Sequence, residues 1–514
     1  MGIWRGQYSR TGVMSAAVAV FVVCCVLPLA WLLAATLSAS SGAFAAVALD
    51  SRQRGLLYNT TILGAGTAAL ATALGAPLGI ALARVPMRRK ALVRLVAGAP
   101  VLLPPYVVAL AWVSLGGMRS EWTYSLPAAI LVLSLVLYPL AMLATEVAMR
   151  RIDGRLEEAA LIVAPPSRVL WLITLPLVAP TVIAAALIIF VLAVSEFGVP
   201  GLLRVRVYTT EVFTAFAALY DFSRALVLAM PLILMCVAVA AVAAVLLGDR
   251  IVTTRRSVGV SPVVFDRWRP PATAALCLVV IVALVLPVLV LAREASAARS
   301  LGAAAAGSLT AIVNSLRLAM SGATLVVLVA VWLGYAQARA GRAFRLAGQA
   351  VLIALFAIPS TIVGVGLIGL WNRSGPLGAL YGTDAMLLVA YLARFLPVAT
   401  LILAATTQAV PMSQEEAAAV SGVGWFRTVR AIVLPQLRVA IAAAWVVAFV
   451  LAFGELGASI LVAPPGESTL PIRIYTIIAN TPPSHVAVLA LLQSLVIFLP
   501  VAALGAYVSR REAR

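Results

Sequence analysis

Apolar residues fill this chain in long runs separated by short polar loops. Twelve runs lie at roughly 13–37, 59–83, 92–115, 127–149, 180–200, 223–247, 272–292, 315–336, 347–370, 385–406, 437–461 and 486–508. A helix needs about 20 mostly apolar residues to cross a bilayer, and each run has that length. The short alternating segments of a transmembrane β-barrel are missing. The pattern predicts an all-α polytopic membrane protein. The first run follows Arg5 and Arg10. It is too long for the core of a signal peptide and is read as the first span.

The runs fall into two tandem sets of six. Residues 59–84 align with 314–339 at an offset of 255, with nine identities in 26 positions, Arg84 falling on Arg339. Pro104 matches Pro359 at the same offset, and Pro139 matches Pro397 at 258. The segment 190–198, which holds Glu196, matches 449–457, which holds Glu455. Val26-Leu27-Pro28 matches Val285-Leu286-Pro287. Six spans is an even number, so the halves are expected to be parallel. They would be related by a pseudo-two-fold axis along the membrane normal, with a pathway between them. The expected division is a first six-helix module at 1–248, a basic linker at 249–271 and a second module at 272–514.

Composition agrees. Hydrophobic residues make up 63% of the 514 and charged residues 11%, against about a quarter charged in soluble domains. The net charge of +19 raises the question of nucleic acid, but its distribution answers otherwise. Of 37 Lys and Arg residues, 25 fall at the termini and in alternate loops. That is the asymmetry by which membrane proteins orient, and it predicts both termini in the cytoplasm. No nucleic-acid partner is expected; membrane lipid is. Cys24, Cys25, Cys236 and Cys277 all lie in apolar runs, and His485 is the lone histidine. Neither set predicts a metal site.

Two basic loops carry one pattern twice, about 258 residues apart. Glu158-Ala159-Ala160 lies in the loop at about 150–178 and is followed by Leu175-Pro176. Glu416-Ala417-Ala418 lies in the loop at about 408–436 and is followed by Gly422 and Ile432-Val433-Leu434-Pro435. Alanine and glutamate favour helix, and Gly422 breaks it before an amphipathic stretch from Trp425 to Val433. The prediction is a helix–turn–helix across the cytoplasmic face. Its small alanines let a partner approach, and its glutamate offers a charge. One copy would favour the reading of a loop resting on lipid. Two matched copies favour docking.

In these loops the chain resembles the permease subunits of binding-protein-dependent, type I ABC importers. Their signature is Glu-Ala-Ala, three residues, Gly, then about nine residues to Ile-x-Leu-Pro. The second loop fits from Glu416 to Pro435. The first has Ala164 in place of the glycine, followed by Pro165-Pro166. Ser195-Glu196-Phe197-Gly198 and Gly454-Glu455-Leu456-Gly457 are similar to the Gly-Glu-Phe-Gly segment of the ferric-iron, sulfate and molybdate branch. The stretch 461–475 resembles fused ferric-iron permeases.

The resemblance implies a two-module permease in a bacterial inner membrane. Two cytoplasmic ATP-binding subunits would dock on Glu158, Ala159, Ala160, Glu416, Ala417, Ala418 and Gly422. A periplasmic or lipid-anchored substrate-binding protein would deliver the cargo, with ferric iron the first choice. Thiamine, 2-aminoethylphosphonate, sulfate and molybdate are alternatives, and a secondary transporter with parallel repeats is the reading outside this class. No cofactor is expected in the chain itself. A P-loop needs Gly-x-x-x-x-Gly-Lys before Ser or Thr, and the lone lysine, Lys90, precedes Ala91. The chain is therefore not expected to be an enzyme, and ATP and Mg belong to partner subunits. Within the membrane, Glu196, Glu455 and Arg394 are candidate pathway groups. For the two glutamates the slightly favoured reading is as caps of irregular turns, each two residues before a glycine.

Overall fold

The computed structural model describes residues 2–38, 51–117, 120–247, 265–298, 302, 306–466 and 468–512. Among them ten helices are long and apolar enough to cross a membrane, and two bent pairs raise the total to as many as 12. The first half comprises α1 (Gly12–Leu37), α2 (Ser51–Arg84), α3 (Lys90–Leu102), α4 (Pro105–Gly116), α5 (Leu126–Arg150), α6 (Gly154–Leu161), α7 (Pro166–Ser195) and α8 (Phe222–Leu246). The second comprises α9 (Asp266–Ser296), α10 (Leu309–Arg339), α11 (Arg342–Ala357), α12 (Ser360–Trp371), α13 (Asp384–Gln408), α14 (Met412–Val420), α15 (Trp425–Phe453) and α16 (Pro483–Tyr507). Most of the expected linker, residues 249–264, lies outside the described residues. Its last residues already belong to α9.

The matched prolines do more than mark a repeat. The runs at 92–115 and 347–370, expected as single spans, are each broken into two helices. α3 and α4 meet at 85°, and α11 and α12 at 94°. A residue before proline is driven out of the helical region. Leu103 and Pro104 are extended, as are Ile358 and Pro359.

Other prolines are absorbed. Leu27-Pro28, Leu175-Pro176, Leu286-Pro287 and Leu434-Pro435 each follow five residues wound as a π-turn. Proline lacks an N–H and crowds the carbonyl four residues back, and a wider turn accommodates it without ending the helix. α7 and α15 therefore run unbroken from the loop into the membrane. The stretch Trp425 to Val433, expected as a separate arm, is the first part of α15.

The halves exchange their first spans. α1 lies against α10, α12 and α13, while α9 lies against α2 and α4. Each also contacts the last span of its own half. A Cβ on Gly369 would sit 1.8 Å from the Trp31 ring, so α12 receives α1 only because that position is glycine. Gly75 and Gly79 do the same for α2 against α5, where a Cβ would come within 2.4 Å of the Tyr138 and Met142 carbonyls. Small residues of this kind allow the close van der Waals packing that joins helices in lipid. The modules drawn along the sequence are therefore not separate packing units.

Candidate functional site

α6 and α14 each bridge the end of one span and the start of another at the arginine-rich end. Asp153 opens α6 by accepting the Arg155 N–H at 3.1 Å. Glu158 and Ala159 are exposed and Ala160 is half-buried; Glu416 and Ala417 are exposed and Ala418 is buried. The duplicated glutamates thus stand on accessible surface at equivalent places. Beside them, Ile162 is 83% exposed and its equivalent Val420 90% exposed. Sequence reading passed over these apolar tips. The signal was an apolar residue at the same offset in both polar loops.

The two turns differ as their sequences do. Gly422 has φ of +75°. Val423 N–H donates to Ala418 O at 2.9 Å and Gly422 N–H to Ala419 O at 3.0 Å, the paired bonds of a glycine-ended helix. In the first loop Ala164 N–H donates to Ala160 O at 3.0 Å, and Pro165 then leads away in an extended conformation.

Sequence reading also missed the neighbouring glutamates, which turn inward. Glu157 is fully buried and pairs with Arg84, with Nη2 to Oε1 at 2.6 Å. The Thr174 hydroxyl of α7 donates to the same oxygen at 2.7 Å. In the second half Glu415 pairs with Arg339 and accepts the Tyr335 hydroxyl. Trp425 Nε1 of α15 donates to that hydroxyl at 3.1 Å. Arg84 and Arg339 are matched in the repeat, and so are Glu157 and Glu415. Two matched opposite charges were the available clue.

Glu196 and Glu455 lie at the other end of α7 and α15, and Arg394 lies within α13. α7 is 30 residues long, so Glu196 stands about 45 Å from the start of that helix at 1.5 Å per residue. Glu196 and Glu455 lie just past their helices, in the turns that follow. Glu196 accepts the Gly198 N–H at 2.9 Å. Glu455 accepts the N–H groups of Ala458 (2.9 Å) and Ser459 (2.8 Å) and the Ser459 hydroxyl. Both cap short helices, Gly198–Leu202 and Ser459–Val462.

The turns meet across the halves. The Phe197 and Tyr475 rings are 5.6 Å apart, and the Tyr106 hydroxyl donates to Gln493 Oε1 at 2.5 Å. Arg394 is buried and donates to the Phe356 and Ile358 carbonyls at the break between α11 and α12. It interacts electrostatically with Glu455 and Glu196. Among the described residues no group of three or more His, Cys, Asp or Glu could hold a metal ion.

Comparison with known proteins bears on this arrangement. The family model described as "Binding-protein-dependent transport system inner membrane component" matches residues 75–253 and again 326–514. Both matches begin inside α2 and α10 and leave out the exchanged spans α1 and α9. The "Fe(3+)-transport system permease protein FbpB 2" of Haemophilus influenzae is 25% identical over 437 residues, 82% of this chain and 84% of that protein. The "Putative ABC transporter permease protein ORF1" of Streptomyces antibioticus is 33% identical over 218 residues, 41% of this chain and 90% of that protein. The "Molybdenum transport system permease protein ModB" of Escherichia coli K12 is 32% identical over 158 residues, 27% of this chain and 69% of that protein.

Proposed function

We propose that this chain, which belongs to the family of binding-protein-dependent transport system inner membrane components, is the ABC importer permease that passes ferric iron across the inner membrane, driven by ATP hydrolysed in separate subunits. The observation that carries the reading is the pair of exposed helices α6 and α14, presenting Glu158 and Glu416 at one end of a duplicated bundle. Two copies of an ATP-binding subunit would seat there, one on each, against the apolar tips Ile162 and Val420. The arginine excess at this end supports its facing the cytoplasm, with both termini on that side.

Cargo would enter from a substrate-binding protein at the opposite end and pass between the halves. Glu196, Glu455 and Arg394 border that route. Each is engaged by nearby protein groups, chiefly backbone, which supports a role in shaping the route rather than gripping the cargo. Selectivity then rests mainly with the binding protein. Ferric iron is favoured because the iron-permease relative spans both halves of the chain. Relatives named for molybdenum and for 2-aminoethylphosphonate match one part only, and an oxyanion is the second reading.

The test is a pull-down of the tagged chain from native membranes, with ATPase activity assayed in the eluate. An ATP-binding subunit should co-purify, and should be lost when Glu158 and Glu416 are both changed to alanine. Glu416→Ala alone should weaken association more than Glu158→Ala, because only the second loop keeps the glycine turn. A chain that purifies alone and transports without ATP after reconstitution would be a secondary transporter. Uptake of radioactive ferric iron, set against molybdate, then separates the two cargo readings.

A further inference from the structure

A docking surface needs only its outward groups, yet α6 and α14 each turn one carboxylate inward. The chain itself joins α6 to α5 and α7. It does not join α6 to α2; the Arg84–Glu157 pair does. In the same way Arg339–Glu415 joins α14 to α10. Each site also recruits the span that follows the loop. Thr174 at the start of α7 donates to Glu157, and Trp425 at the start of α15 reaches Glu415 through Tyr335.

The connection extends further. The Arg84 carbonyl accepts the Phe265 N–H at 3.1 Å, where the chain re-enters the described structure just before α9. α10 in turn packs against α1. The second spans are thus among the elements against which the exchanged first spans lie. Sliding either coupling helix away from its arginine would strand a carboxylate that is buried or nearly so, which is strongly unfavourable. Charge-assisted bonds of this kind are also directional. Helix and span are therefore coupled to move together.

Resting on the reading of α6 and α14 as ATPase contacts, we propose that Arg84–Glu157 and Arg339–Glu415 are positioning pairs that carry the displacement of the coupling helices into α2 and α10. The experiment uses the full chain co-purified with its ATP-binding subunit and with its four cysteines replaced. Spin labels go on Tyr58→Cys and Val313→Cys, equivalent exposed sites near the far ends of α2 and α10 (65% and 52% exposed). The label separation is measured before and after trapping with ATP and orthovanadate.

In the parent the separation should change on trapping. In Glu157→Gln/Glu415→Gln that change should at least halve, while the amount of bound ATP-binding subunit and its hydrolysis rate stay at the parental level. If the double variant does not purify, Glu415→Gln alone serves, since its side chain is the more exposed of the two (14% against 0%), and a smaller change is again expected. A full change in the variants, or none in the parent, overturns the inference. Loss of the ATP-binding subunit from the variants also overturns it, because the pairs would then belong to the docking surface. A parent that retains no ATP-binding subunit instead removes the reading of α6 and α14, and this inference with it.

Discussion

Arg84 and Glu157, 73 residues apart in sequence, form an ion pair with side chains 4% and 0% exposed. The second half repeats it less deeply, with Arg339 and Glu415 at 8% and 14%. Removing one partner of a buried pair strands the other, at a cost of about 3–5 kcal/mol. Arg84→Ala should therefore lower the thermal midpoint of the detergent-solubilised protein more than Arg339→Ala. An equal or larger drop from Arg339→Ala would contradict this ordering.

Gly422 ends α14 with φ of +75° and has open space where a Cβ would stand. Gly422→Ala meets no clash, and its cost is the backbone strain of a left-handed residue, about 1–2 kcal/mol. The variant should stay folded yet hold the ATP-binding subunit more weakly, as read by pull-down. Ala164→Gly in the first loop should change little, because that helix ends at a proline. Improved association from Ala164→Gly would show that the glycine itself, and not the turn it permits, is what the partner needs.

Glu455 accepts three hydrogen bonds from Ala458 and Ser459, whereas Glu196 is held by the backbone N–H groups of Gly198 and Val199. A buried donor left without a partner costs about 1–3 kcal/mol. Glu455→Ala should destabilise more than Glu196→Ala in a thermal melt. The glutamine variants keep an acceptor oxygen and should sustain uptake at the parental level. A folded Glu455→Gln protein with no uptake would mean that the carboxylate charge acts on the cargo.

Arg394 donates from one nitrogen to two carbonyls at the break between α11 and α12. The equivalent position in the first half is Val136, so this brace exists once. Arg394→Met keeps much of the volume and leaves the carbonyls unanswered, costing about 1–3 kcal/mol for each unsatisfied group. Val136→Ala, a loss of two methyl groups, should cost less. Melting curves of the two variants check the order.

Much of this was legible in the residue order. Bilayer thickness imposes run length, so the spans could be counted from hydropathy. A duplicated gene segment keeps its offsets, so Arg84 and Arg339, Pro104 and Pro359, and Glu158 and Glu416 could be paired without coordinates. The exposure of Glu158 and Glu416 followed, because polar loops between apolar runs have nowhere to go but the surface.

Other features depended on which segments meet. Proline at 104 breaks a helix and proline at 176 does not. Leu103 and Pro104 are extended, as are Ile358 and Pro359 in the second half, whereas Pro176 follows a π-turn that absorbs it. Hydropathy records that α1 and α9 are apolar but not which half each one covers. That choice was made by shape, through Gly369 receiving Trp31. The role of Glu157 was likewise hidden. Along the sequence it is one of two adjacent acids, and only the fold turns it toward Arg84 and leaves Glu158 facing outward. A buried charge requires a partner and an exposed one does not. Sequence determined that the chain crosses the membrane in two matched halves; tertiary packing decided which glutamate each half turns inward and which it leaves on the surface.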